Sequence, residues 1–96
     1  MLQVQTVIKT TAEELGISQD DLMMQGLRQF LERQLREVQA QIFQITGSYS
    51  VRSVEEMEDR YRSGELEEAS SWRDLQRLDH LEYKRDRLLR LLKNLP

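Results

Sequence analysis

Residues 19–46, QDDLMMQGLRQFLERQLREVQAQIFQIT, decide the fold. Within them Leu27, Leu31, Leu35, Val38, Ile42 and Ile45 follow one another at gaps of four, four, three, four and three residues. That spacing returns to one side of a 3.6-residue turn, so the segment reads as an amphipathic helix. At 1.5 Å per residue it is roughly 40 Å long, more than the width of a chain of this size rolled into a ball. Its stripe therefore needs a long cover: the C-terminal helix of the same chain, a second copy, or another protein. We expect the six stripe residues to form an oligomer interface, with self-association favoured over a foreign partner.

Upstream, residues 2–15 read in two ways. Leu2, Val4, Thr6 and Ile8 alternate as a strand does, whereas Val4, Ile8, Ala12 and Leu15 share a helix face. The helix is favoured, although Thr11 with Glu14 makes a capping box that would begin a helix only there. Gly16 supplies the stop, and Ser18 with Asp21 the cap of the long helix. Gly26, inside that helix, costs about 1 kcal/mol relative to alanine and points to close packing. Glu32 with Arg36 and Arg33 with Glu37 stand four apart, as surface ion pairs do.

Downstream, the long helix should stop before Gly47, leaving 47–52 as a connector whose Tyr49 and Val51 dock on the core. Ser53 and Glu56 form a capping box for a short helix over 53–63, which carries Val54, Met57 and Tyr61 on one face and ends near Gly64. After an acidic linker, Ser71 with Asp74 should cap a last helix over 71–93. Trp72, Leu75, Leu78, Leu81, Leu88, Leu92 and Leu95 form its stripe, widened by Leu89 and Leu91. The expected fold is all-α: two long amphipathic helices and two shorter ones, a hairpin or bundle completed by oligomerisation.

At 96 residues the chain has room for one domain and one small core, so association is an expected source of stability. There is no cysteine, hence no disulfide and no thiolate metal site. Neither a signal sequence nor an apolar membrane span is evident, and a cytoplasmic location is the default expectation. The net charge of −3 hides a polarity. Residues 55–68 hold seven acids against Arg60 and Arg62, and residues 72–96 hold seven bases against four acids. Two solvated faces that attract each other explain this; the functional alternative is an acidic segment that covers a basic surface on a partner.

No catalytic constellation stands out. His80 is the only histidine; although Asp79, Glu82 and Asp86 are near in sequence, one imidazole on a helix face falls short of a metal centre. The serines occupy caps, and acids such as Asp86 have a base four residues on at Arg90. We expect no enzyme, no metal and no cofactor. Trp72 is a natural anchor for a partner, with Tyr83 and Arg85 as weaker candidates, because aromatic side chains dominate interface energetics. The competing role for Trp72 is to close the chain's own core beside Leu75.

Two resemblances bear on function. AEELGISQDDLMMQGLRQFLERQL, residues 12–35, resembles the helices of ribbon-helix-helix regulators. That resemblance implies a strand over 2–9 with Gln3, Gln5 and Lys9 directed at base edges. Against it, only about Thr10 to Leu15 separates that strand from the Gly turn, and a pI near 5.2 offers no broad basic footprint. Residues 71–92, SWRDLQRLDHLEYKRDRLLRLL, together with 49–72 and 12–32, look like the small helical antitoxins paired with TumE-type toxins. This second resemblance implies a protein that neutralises a cognate toxin by direct binding. The expected function is therefore a protein-binding module that self-associates and acts as an antitoxin, with DNA at its own operon as a further expected partner. The alternatives are a DNA-binding regulator of ribbon-helix-helix or helix-turn-helix type, or a structural oligomerisation module.

Overall fold

A computed structural model describes residues 3–96. It contains four helices in the order α1 (Val4–Leu15), α2 (Gln19–Tyr49), α3 (Val54–Ser63) and α4 (Glu68–Lys93). Among the described residues there is no strand. The 2–9 strand is thus replaced by helix from Val4 onward, and Leu2 lies outside the described residues. Thr11 sits within α1, so no new helix begins there; the segment is continuous because its apolar face repeats from Val4 to Leu15.

α2 and α4 form an antiparallel hairpin. Three cross-links mark its register: Arg28 Nη2 donates to the Pro96 carbonyl at 3.2 Å, Arg77 Nη2 to Gln41 Oε1 at 3.3 Å, and the Tyr49 hydroxyl to Asp74 Oδ2. Leu31, Val38 and Ile45 of α2 are buried against Leu78, Leu81 and Leu88 of α4, and Leu35 and Ile42 pack on the same cluster. Five of the six residues expected at an oligomer interface are thus taken up within the chain. The chain's own α4, almost as long as α2, covers Leu31, Val38 and Ile45 from water and Leu35 and Ile42 in part. Leu27, beyond the end of α4, is left exposed.

α3 closes the far end. Val54 and Met57 enter the core with Val51, and Tyr49 and Tyr61 pack against it. The Ser53 side chain accepts from Glu56 N–H at 3.2 Å, as a cap should, while Glu82 from α4 accepts from Val54 N–H at 3.0 Å. The N-terminus of α3, with its unpaired N–H groups, thus receives a carboxylate from another helix. Arg60 reaches back to the end of α2, donating to the Tyr49 carbonyl at 2.8 Å and the Ser50 carbonyl at 2.7 Å.

Helix boundaries depart from the sequence reading at two places, each for a visible reason. α2 runs through Gly47 to Tyr49 because its last carbonyls are satisfied by Arg60 and by Val51 N–H, which bonds to Thr46 at 2.9 Å. Ser50 then adopts the left-handed conformation, φ 53°, that usually falls to glycine. α4 begins at Glu68, so Ser71 is no cap: it is buried, donates to the Glu67 carbonyl at 2.7 Å and pairs with the Tyr61 hydroxyl at 2.8 Å. The Ser18 cap on Asp21 N–H, 3.0 Å, and the left-handed stops at Gly16 and Gly64 agree with expectation.

Gly26 has no neighbour within 4 Å of where a Cβ would stand, so close packing within the chain does not account for it. Neither the Glu32–Arg36 and Arg33–Glu37 pairs nor Asp86–Arg90 is among the ion pairs of the described residues; Arg33 lies over the Phe30 ring instead, and Asp86 pairs with Arg85. Because α1 and the first turns of α2 extend past the hairpin, the molecule measures 62 × 29 × 16 Å.

Candidate interaction surfaces

α4 turns one stripe inward and leaves the opposite side to solvent. Trp72 and Tyr83 fall on that outward side, eleven residues apart, which is three helical turns or about 16 Å. They are 43% and 60% exposed. Trp72 therefore does not close the core; Leu75, one turn on, packs there instead. The Arg87 guanidinium sits 5.7 Å from the centroid of the Tyr83 ring, close enough to favour a cation over its face. His80, Tyr83, Lys84, Arg87, Leu88 and Leu91 border a shallow depression of about 370 Å³ along this helix. Arg85 does not join Trp72 and Tyr83: it is half-buried toward α2 and bonded to Asp86 at 3.1 Å.

The Trp72 end is also the acidic end. Glu65, Glu67 and Glu68 precede Trp72 within two turns, and Glu55, Glu58 and Asp59 of α3 are exposed. Arg60 is drawn inward by Tyr49, Ser50 and Glu56, and Arg62 is paired with Asp59, so neither base offsets the field freely.

A family model described as "Uncharacterized protein MJ0235 family" matches residues 1–96. The chain belongs to that family. No curated protein and no solved structure matches it.

In this MJ0235-family chain, the residues proposed for DNA lie on α1 instead of a ribbon. Gln3 is the N-cap residue, and Gln5 and Lys9 are exposed one turn apart. The paired strands that would carry such residues into a major groove are absent among the described residues. Nor do three or more His, Asp or Glu side chains converge there as a metal site would require. No helix of the described residues is long and apolar enough to cross a membrane.

A second exposed apolar face lies near the start of α2, where the sequence pattern marked Leu27 alone. Met23, Leu27 and Phe30 recur at four and three residues near the start of α2, and are 46%, 45% and 50% exposed. α1 adds Val4, Val7 and Leu15, also exposed. Leu27, Met23 and Met24 line a groove of about 490 Å³ with Asp20, Asp21 and Pro96, the last residue of the chain. The available signal was length: α2 outruns α4 at this end, so its stripe there has no cover.

Proposed function

We propose that this chain is a non-enzymatic protein-binding module that docks through the outward face of α4, and that the protein it binds is a cognate toxin which it neutralises. The observation that carries the docking site is the exposure of Trp72, the only tryptophan, beside Tyr83 on one solvent-facing stripe. Aromatic side chains left in water on a rigid helix are the usual anchors when a helix is laid into a groove on a partner. The acids around Trp72 favour a partner with a basic surface, which they would steer and orient. The toxin as occupant is supported by the resemblance of residues 12–32 and 49–92 to antitoxins.

The test is co-expression with the product of the adjacent gene, followed by size-exclusion chromatography and calorimetry. A stable hetero-complex is expected. Trp72→Ala should weaken it by about 30-fold or more, as loss of an anchor worth roughly 2 kcal/mol does. Circular dichroism should show unchanged helicity, since Trp72 is outside the core. Absence of a complex, or a complex indifferent to both Trp72→Ala and Tyr83→Ala, would remove this reading.

A further inference from the structure

We propose that the arm at the opposite end of the molecule, the first turns of α2 with α1, pairs with the same arm of a second copy in an antiparallel, two-fold arrangement centred near Leu27. Surface area is the first argument. A compact monomer of 11.5 kDa exposes about 5,800 Å². This chain exposes 7508 Å². The excess, about 1,700 Å², is within the range that each subunit of an obligate homodimer covers, about 1,000–2,500 Å². The exposed apolar side chains at this end, Met23, Leu27 and Phe30 on α2 with Val4, Val7 and Leu15 on α1, supply the surface such a contact needs.

Charge selects the occupant and its direction. Residues 13–21 carry Glu13, Glu14, Asp20 and Asp21 with no base, whereas residues 28–36 carry Arg28, Arg33 and Arg36 against Glu32. Asp20 and Asp21 lie seven and six residues before Leu27, and Arg33 and Arg36 six and nine after it. Two copies aligned antiparallel about Leu27 set acids opposite bases at both ends; a parallel pair sets like against like, which is unfavourable. An isologous contact of this kind closes on itself and leaves both α4 outward faces free. It is thus independent of the proposed toxin-binding site.

The chain lacks cysteine, which makes the geometry directly testable. Purified full-length Leu27→Cys should form a covalent dimer on mild oxidation, whereas Phe43→Cys, 76% exposed on the hairpin, should stay monomeric under denaturing electrophoresis. Sedimentation of the wild-type chain should give a dimer at micromolar concentration. Reversing the acids (Asp20→Lys with Asp21→Lys) or the bases (Arg33→Glu with Arg36→Glu) should each weaken the dimer at least 10-fold. An equimolar mixture of the two variants should restore it, which a mere folding defect would not. A monomer at 100 micromolar, equal cross-linking at both cysteines, or a dimer untouched by either reversal would overturn the proposal. So would a chain that is monomeric alone and covers this arm only with a different protein.

Discussion

Arg60 holds two helices together through one side chain, and replacing it measures how much the α3 clasp is worth. Its guanidinium donates to two carbonyls at the C-terminal end of α2, at 2.8 and 2.7 Å, and touches Glu56 at 3.4 Å. Hydrogen bonds with a charged donor are worth about 1.5–3 kcal/mol each. Here the side chain is 31% exposed, so solvent screening brings each down to about 1 kcal/mol. The Glu56 contact, also partly in water, adds about 0–1 kcal/mol. Arg60→Met keeps the aliphatic stem and removes every donor, so it should cost about 2–3 kcal/mol, read as a lower urea midpoint at unchanged slope. Followed thermally by circular dichroism at one protein concentration, the transition should fall by about 10–20 °C. Arg60→Lys keeps the charge but cannot span both carbonyls, and should recover roughly half of the loss. Glu56→Gln should cost less than about 1 kcal/mol. A loss below about 0.5 kcal/mol for Arg60→Met would refute the idea that α3 is clasped by these bonds instead of by Val54 and Met57 alone.

Three further outcomes follow from the same packing. Leu78 is fully buried at the centre of the hairpin, so Leu78→Ala should cost about 2–5 kcal/mol by leaving a cavity, measured by urea unfolding. Tyr49 gives a pH signature: its hydrogen bond to Asp74, helped by burial and the Asp74 charge, holds the hydroxyl proton until pH reaches about 12 instead of 10.0. The folded state keeps this proton more tightly than the unfolded chain, so the added stability is complete below pH 10 and drains away as pH rises toward 12. Tyr49→Phe should therefore narrow its stability deficit against wild type between pH 9 and 11.5 in parallel urea titrations, and a constant deficit would exclude the linkage. Gly16 has φ +69°, where a Cβ is strained, and Gly16→Ala should lower stability by about 1 kcal/mol in thermal denaturation.

What the residues revealed without coordinates was periodicity. The gaps of three and four through Leu31, Val38 and Ile45 define α2, and the leucines of α4 define its mate, because burial of one face imposes that repeat whatever lies opposite. The caps at Ser18 and Ser53 were legible for the same reason: their hydrogen bonds span three residues and need nothing distant. What spacing cannot show is which surface meets the stripe. The row from Leu31 to Ile45 looked like an intermolecular seam because nothing local says that α4 folds back over it. The capping pattern at Ser71 misled because a half-buried tyrosine hydroxyl, Tyr61, and the Glu67 carbonyl offer that serine a better use. Arg60 and Glu82, whose partners are ten and more residues away, carried no signal of their own. Of the proposed contact residues, Trp72 and Tyr83 were found by chemistry, since aromatic side chains are informative wherever they fall. Met23 and Phe30 were missed: Met23 is uncovered because α2 outruns α4, and Phe30 because it lies to the side of the stripe that Leu31 buries.

The hairpin seam is built from near-equivalent aliphatic residues, and a seam of that kind has more than one acceptable alignment: sliding one rod past the other by a single turn would still bring leucine onto leucine. The polar fastenings near the closed end break this degeneracy. Tyr49 meets Asp74, Glu82 meets the first amide of the short helix, and Arg60 meets the chain as it leaves α2; a slip of 5.4 Å would undo the first and, with it, whichever of the other two ties α3 to the rod that moves away. Greasy contacts thus decide that the rods adhere, and a handful of directional bonds decide at which notch. Changes that spare the leucines but erase those fastenings should yield a protein that is still helical and still associated, yet indifferent to its own alignment.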